Sequence, residues 1–174
     1  MARRVERGGS VERAEAADVA DLVDEALRQV RRLSRGLMAS EIEPGGLRPA
    51  LAALVADADR VATASVTFQS EGDGALLAPD SERHLYRIAQ EAITNALRHG
   101  RPRRVEVTLG IEGPGATLTI ADDGDGISME GPEAGGGLRT MRHRADLVAG
   151  DLEVGPGPSG GTRVRVTVPT SATG

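Results

Sequence analysis

The sequence predicts an α+β two-layer sandwich, in which a mixed sheet is covered on one face by helices. Two observations support this fold class. Four segments have helical periodicity and five short segments are strand-like, and the order in which they follow one another is typical of an α+β fold. Helices come first, followed by strand–helix–strand–strand–loop–helix–strand–strand. A length of 174 residues fits one compact domain with an appendage, or two very small domains. The core must be aliphatic, because the chain has one Phe, one Tyr and no Trp.

The composition excludes several kinds of site. The chain contains no Cys, which rules out disulfide scaffolds, thiolate zinc sites and cysteine nucleophiles. All 21 basic residues are Arg, so a GxxxxGK phosphate loop, Schiff-base chemistry and a lysine general base are also excluded. A net charge of −5 argues against nucleic acid as a partner. No apolar run approaches the roughly 20 residues of a membrane span, so a cytoplasmic chain without direct membrane contact is expected.

The first 46 residues are predicted to form an appendage. Residues 1–10 are rich in Arg and Gly without periodicity, which indicates a flexible arm. From about 11 to 39, apolar residues recur at alternating spacings of four and three, which predicts a helix with a narrow apolar seam. The seam consists of Val19, Val23, Ala26, Val30, Leu33 and Leu37. It fits either a helix packed on its own domain or a helix of an intermolecular bundle, and its length does not decide between them.

Residues 47–169 are predicted to form the sandwich itself, with 170–174 as a tail. Helices are expected at 47–58, at about 82–99 with Asp80 or Ser81 as cap, and at 138–148. Strands are expected at 62–69, 105–111, 117–121, 151–154 and 160–168. The turn at 113–115 should join the second and third of these strands into a hairpin.

One helical segment carries side chains that could hold a cation. In the helix at 82–99, one face is apolar, whereas the opposite face is polar. That polar face holds His84, Arg87, Glu91, Asn95 and Arg98, with His99 at its edge. A solvated outer face would explain most of these residues, but Asn is a poor residue for a helix interior. An amide oxygen one turn from a carboxylate is what Mg²⁺ can use, directly or through water.

An acidic loop and two glycine clusters supply the remaining candidate sites. Residues 122–126 (DDGDG) follow a strand directly; an EF-hand fails there, because the first ligand would be Ala121 and the twelfth Pro132. Either a plain turn or a carboxylate that accepts a hydrogen bond from a ligand amine fits this loop. Residues 135–141 (GGGLRTM) lead into a helix whose free N–H groups suit phosphates, although a glycine triplet alone is more often a linker. Residues 160–162 (GGT) alone are indistinguishable from a turn.

In order, residues 91–99 (EAITNALRH), 122–126, 135–141 and 160–162 resemble the four ATP-binding boxes of the GHKL ATPases. More narrowly, they are similar to the catalytic domain of bacterial two-component sensor histidine kinases whose response regulators are of the LuxR/NarL type. The resemblance covers roughly 20–169, and residues 35–47 look like the end of the dimerisation region. It implies a Bergerat sandwich that binds ATP and Mg²⁺.

The resemblance also implies roles for single residues. Asn95 would be the metal ligand, and Glu91 a polarising residue or base. Asp122 would accept from the adenine amino group. The other implied nucleotide-binding residues are Arg98, His99, Gly124, Gly126, Gly135, Gly137, Leu138, Gly161 and Thr162. Residues 127–137 would form a mobile lid.

One feature departs from the family pattern: no His precedes His84, whereas the phosphate acceptor of the family lies on the first dimerisation helix. We therefore expect either a fragment of a longer kinase or a shortened homologue, with the acceptor histidine on another segment or chain. Two alternatives stay open. One is a non-catalytic, nucleotide-gated interaction module, and the other is a serine kinase of the anti-sigma type on the same fold.

Overall fold

The computed structural model describes residues 46–72, 77–112, 114–126 and 136–170, all within one structural unit, Ile42–Gly174. The predicted flexible arm, the seam helix and most of the lid lie outside the described residues, as does Gly135.

Three helices and five strands make up the described fold, in the order that the sequence predicts. The helices are α1 (Leu47–Val61), α2 (Pro79–Asn95), which continues as a π-helix over Ala96–Gly100, and α3 (Gly136–Asp146). The strands are β1 (Ser65–Glu71), β2 (Arg104–Glu112), β3 (Gly115–Asp122), β4 (Asp151–Pro156) and β5 (Thr162–Pro169).

The strands form one mixed sheet in the order β1-β2-β3-β5-β4. β1 is parallel to β2, and the three other pairs are antiparallel, including the expected β2–β3 hairpin. Alternate residues of β2, β3 and β5 are buried, which places the helices on one face of the sheet. Leu51, Leu85, Leu118 and Val166 are among the fully buried core residues. The α+β two-layer sandwich is therefore confirmed.

The beginning of α2 differs from the prediction. The helix starts at Pro79 rather than near residue 82, and neither Asp80 nor Ser81 caps it, because Ala78 is the N-cap residue and makes no side-chain cap bond. Proline suits a first helical position, since its ring fixes φ and the missing N–H would have no partner there. β1 also begins later than residue 62, because Ala62 still belongs to the end of α1 and its N–H donates to the carbonyl oxygen of Ala58.

Candidate nucleotide-binding site

A pocket opens between the end of α2, the π-helix, α3 and the ends of β3 and β5. Its polar side chains come from four positions: Asn95, His99, Asp122 and Thr162. Its apolar wall is formed by Ala92, Ala96, Ile120, Met141 and Val164, and the backbones of Gly100 and Gly126 complete it.

Strand and helix periodicity explain why these residues converge. In β3, Ile120 and Asp122 lie on the same buried face, and in β5, Thr162 and Val164 do so. Ile120 is paired with Val164 across the two strands. The helix contributes side chains three or four residues apart, so one stripe of α2 and its extension borders the pocket. The structure thus brings the first, second and fourth sequence motifs to a single cavity.

Asp122 is the buried carboxylate of this pocket. It is 7% exposed, and its Oδ1 accepts a hydrogen bond from the Gly124 N–H at 2.9 Å. Asp122 and Thr162 are two of the three buried polar residues in the described ranges, and both line the cavity. Buried polar groups at a cavity wall are informative because burying them is costly unless a partner offsets the lost hydration.

Asp123, the next residue, has a different environment. Its Oδ1 accepts two backbone hydrogen bonds, from the N–H of Arg103 and from that of Arg104, both at 2.8 Å. These bonds, the one from Arg104 above all, hold the pKa of the Asp123 carboxyl below its usual value. Asp123 is not part of the pocket wall. Of two adjacent and chemically identical side chains, one faces the cavity and the other ties the loop to the start of β2.

The glycines of the acidic loop and of the 160–162 cluster permit close backbone packing. A Cβ at Gly124 would collide with the carbonyl oxygen of Gly100, so this glycine serves contact with the end of the π-helix. The sequence predicts that Gly124 and Gly126 both line the pocket, but of the two only Gly126 is part of the pocket wall. Gly161 has a φ of +61°, and a Cβ there would collide with the backbone oxygen and Oδ1 of Asp122.

On the helix side, the Nδ2 of Asn95 donates a hydrogen bond to Glu91 Oε1 at 3.3 Å. Glu91 lies behind Asn95 and does not line the pocket. The beginning of α3 lies directly over this pair, because a Cβ at Gly137 would collide with Glu91 Oε1 and come within 2.9 Å of the Asn95 Nδ2. Leu138 is half-buried and packs against the core. The third sequence motif therefore reaches the same site through Gly137.

The segment after Asn95 is a π-helix, a rare form that often occurs at functional sites. It ends at Gly100, and the next residue, Arg101, has a left-handed backbone with φ of 45°. The carbonyl oxygen of Gly100 accepts a hydrogen bond from the Asp125 N–H at 2.7 Å. His99 lines the pocket, whereas Arg98 is exposed on the same segment and is not part of the wall.

The polar face of α2 is not simply solvated, because α3 packs against it. His84 is half-buried, and its Nδ1 is a buried atom without a hydrogen-bond partner. Burial lowers the pKa of His84, and the nearby Arg144 lowers it further. Burial also lowers the pKa of Arg144, with Arg87 as the next cause. The interpretation of this face as a solvated surface is therefore wrong at His84.

The sequence patterns do not predict the apolar wall of the site. Ala92 and Ala96 belong to the apolar face of the predicted helix, which by itself indicates a core position. Their small side chains, four residues apart and beside Asn95 and His99, leave room for a ligand. The strand alternation also contained a signal, since Ile120 precedes Asp122 by two residues. Nothing in the sequence pointed to Gly100, because its position depends on the π-helix.

Residues 80–172 match the family described as histidine kinase-, DNA gyrase B- and HSP90-like ATPases, and the chain belongs to that family. It is 30% identical over 152 residues to the sensor histidine kinase LiaS of Bacillus subtilis, covering 87% of this chain and 42% of LiaS. It is 28% identical over 156 residues to the histidine-protein kinase/phosphatase DegS of Brevibacillus brevis, covering 89% and 40% of the two chains. The chain thus spans about two fifths of these relatives.

Two solved structures share the fold. The ATP-binding domain of PrrB from Mycobacterium tuberculosis superposes with a TM-score of 0.59 at 22% identity, covering 73% of this chain and 96% of that one. The histidine kinase domain of a blue-light activated kinase from Erythrobacter litoralis gives 0.58 at 24% identity, covering 72% and 61%. Within the described ranges, no helix is long and apolar enough to cross a membrane.

Proposed function

We propose that the chain is the ATP-binding catalytic domain of a sensor histidine kinase. In this function it binds ATP with Mg²⁺ and transfers the γ-phosphoryl group to a histidine on another segment or chain, for relay to a response regulator. The observation that carries the proposal is that the Asp122 carboxylate and the Asn95 amide border one pocket. Membership of the ATPase family and the likeness to LiaS and DegS support it. A regulator of the LuxR/NarL type belongs to the same proposal.

Adenine would occupy the part of the pocket next to Asp122. The carboxylate accepts hydrogen bonds only, so it suits the 6-amino group of adenine and opposes the 6-carbonyl of guanine. Thr162 lies beside Asp122 and offers a hydroxyl that both donates and accepts. The surrounding wall of Ala92, Ala96 and Val164 is apolar, as is usual for small-molecule pockets.

The residues at the other end of the pocket fit a magnesium ion bound with phosphates. The Asn95 Nδ2 donates a hydrogen bond to Glu91, so the Asn95 Oδ1 is the amide atom available to a hard cation. Among the residues that the structure describes, no group of three or more His, Asp or Glu side chains could hold a metal by itself. Mg²⁺ is commonly bound by one or two protein ligands together with substrate phosphates, so one amide oxygen next to a phosphate site is sufficient.

The triphosphate would lie near the beginning of α3. Gly137 brings the first turn of this 11-residue helix over Asn95 and Glu91, and the N–H groups of a first turn attract anions. Arg98 is proposed to contact phosphates, and its guanidinium can bind two oxygens at once. Gly135 and Leu138 belong to the same proposed phosphate-binding segment.

In the transfer step, the bond between the γ-phosphorus and the β,γ-bridging oxygen breaks, a bond to an imidazole nitrogen of the acceptor forms, and ADP leaves. Magnesium, when bound, neutralises charge on the phosphate oxygens. The domain positions the nucleotide: Asp122 holds the base, Asn95 holds the metal, and Glu91 orients the Asn95 amide. Glu91 is thereby proposed as the polarising residue.

Calorimetric titration of the full 174-residue chain with Mg²⁺ and the β,γ-imido analogue of ATP tests this proposal. We expect saturable binding, and we expect Asp122→Asn to raise Kd by about tenfold or more, since a hydrogen bond to a charged group is lost. Asp125→Asn is the matched control, because that side chain is 66% exposed and its ion pair, 3.8 Å to an Arg101 that is 87% exposed, contributes little. Binding that Asp122→Asn leaves unchanged would refute the site.

Transfer needs a separate experiment. The chain is mixed with a histidine-bearing dimerisation segment and γ-labelled ATP, and the product is tested for stability in acid. Acid-labile label on the segment supports the histidine kinase. Bound nucleotide without transfer would support a nucleotide-gated module instead, and acid-stable label on a protein substrate would support a serine kinase.

A further inference from the structure

The loop that follows Asp122 is tied to the start of β2 and to the residue before it by a small set of hydrogen bonds. The carboxylate of Asp123 accepts from the N–H groups of Arg103 and Arg104, and the Asp123 N–H donates to the Arg104 carbonyl at 3.3 Å. We call the two bonds to the Asp123 carboxylate the Asp123 clasp. One oxygen atom, Oδ1, receives both of them.

The clasp is next to the pocket in the chain. Asp122, the residue before Asp123, lines the cavity, as does Gly100, three residues before Arg103. A Cβ at Gly100 would lie only 3.3 Å from Asp122 Oδ1, so these two lining residues are in close contact. Any shift of the loop relative to Arg103 and Arg104 would therefore move the Asp122 carboxylate.

The third aspartate of the loop acts mainly through its backbone. The Asp125 N–H donates to the Gly100 carbonyl oxygen at 2.7 Å, whereas its carboxylate is 66% exposed and 3.8 Å from Arg101, an exposed ion pair that contributes little. Replacing the Asp125 side chain leaves the backbone bond in place. Asp123 is thus the residue of the 122–126 loop whose carboxylate accepts backbone hydrogen bonds from Arg103 and Arg104.

We propose that Asp123 is a positioning residue for adenine selectivity. Through the clasp it fixes the direction of the Asp122 carboxylate, so that this group meets the 6-amino group of the base, while Asp123 itself does not touch the nucleotide. The proposal rests on the proposed function and deepens it, because it assigns the discrimination between bases to a residue outside the pocket wall. It requires an acceptor oxygen at position 123, which Asn retains and Ala lacks.

The test compares two nucleotides that differ only at the 6-amino group. Kd is measured by calorimetry for the β,γ-imido analogues of ATP and of purine riboside triphosphate, each with Mg²⁺, on the full chain. We expect the wild-type chain to bind the ATP analogue about tenfold more tightly. In Asp123→Ala, Kd for the ATP analogue should rise by about that factor, while Kd for the desamino analogue changes less than about twofold.

Rescue and control variants separate positioning from a general structural role. Asp123→Asn should keep discrimination within about threefold of wild type, and Asp125→Ala should leave it unchanged. If Asp123→Ala does not fold, as checked by thermal unfolding, Asp123→Leu, which also lacks an acceptor oxygen, replaces it and should discriminate less than Asp123→Asn.

Two outcomes of the variant titrations would overturn the inference by itself. Equal weakening of both analogues in Asp123→Ala would show a structural role only, and full discrimination in that variant would show that the clasp is not needed. A wild-type chain that binds neither analogue would overturn the proposed function, and this inference with it. A wild-type chain that discriminates as expected keeps the proposed function whatever the clasp variants do.

Discussion

Gly161→Ala is expected to displace the Asp122 carboxylate, although Gly161 is not itself part of the pocket wall. Gly161 has a φ of +61°, a conformation that costs an alanine roughly 1–2 kcal/mol. Its new Cβ would also collide with the backbone oxygen and Oδ1 of Asp122 and lie 2.6 Å from the Gly124 nitrogen. Overpacking of this kind costs about 1–3 kcal/mol more, because backbone atoms must move.

The neighbouring glycine supplies the matched control. Gly160 also has a positive φ, +91°, but a Cβ there would meet no atom within 4 Å. Gly160→Ala therefore carries the backbone strain of Gly161→Ala without the collision. We expect a loss of about 1–2 kcal/mol for Gly160→Ala and about 2–5 kcal/mol for Gly161→Ala, and the difference reports the displacement of Asp122.

Thermal unfolding and nucleotide titration measure the two consequences. At about 3 °C per kcal/mol for a domain of this size, Tm should fall by roughly 3–6 °C in Gly160→Ala and 6–15 °C in Gly161→Ala. Kd for the ATP analogue should rise about tenfold in Gly161→Ala only, because the displaced carboxylate loses its hydrogen bond to the base. Equal effects of the two variants on Kd would refute the reasoning.

Three further predictions concern the helix side of the site and pH. Gly137→Ala should weaken Mg²⁺-dependent nucleotide binding several-fold in calorimetry, since its Cβ would lie 2.9 Å from the Asn95 amide; Gly136→Ala, with no atom within 4 Å, should not. Because the pKa of His84 in the folded protein lies below 6.5, the unfolded state binds the proton more readily, and the free energy of unfolding should fall as pH drops below about 6.5. Between about pH 7.5 and 5.5, Tm should therefore fall less in His84→Gln than in the wild-type protein. The same loss in both proteins would contradict this. The pKa of Asp123 in the folded protein lies below 3.8, so its carboxylate stabilises the fold fully above that pH, and this stabilisation is lost as the pH falls further. Asp123→Asn lacks this titrating group. Its acid unfolding, followed by circular dichroism, should therefore depend less steeply on pH than that of the wild-type protein.

Much of the fold followed from local patterns. The β2–β3 hairpin was predictable because two alternating strands flank a Gly-Pro-Gly turn, and α1 because its apolar residues repeat at helical spacing. The strand order was not predictable from local patterns, since the placement of β5 between β3 and β4 depends on contacts distant in the sequence. The start of α2 was missed because capping preference favoured Asp80 or Ser81 over the rigid backbone of Pro79.

The convergence of the motifs and the choice of Asp122 followed from the family resemblance and not from local patterns. The composition of the acidic loop does not separate Asp122 from Asp123; in the structure, the alternation of β3, which ends at Asp122, decides which carboxylate faces the cavity. The π-helix was not predictable either, because no residue type is known to favour it over an α-helix. It depends on partners such as the Asp125 N–H, which bonds to the Gly100 carbonyl from another part of the chain.

The lack of Phe, Tyr and Trp in the pocket wall has a practical consequence for optical work. No Phe, Tyr or Trp lines the cavity, and the entire chain has only Tyr86 and Phe68. The protein therefore absorbs and emits very little in the near ultraviolet. A fluorescent nucleotide or a single engineered Trp would be observed against negligible background. Val61, 82% exposed at the end of α1, is a suitable place for such a reporter, because it is not part of the cavity wall.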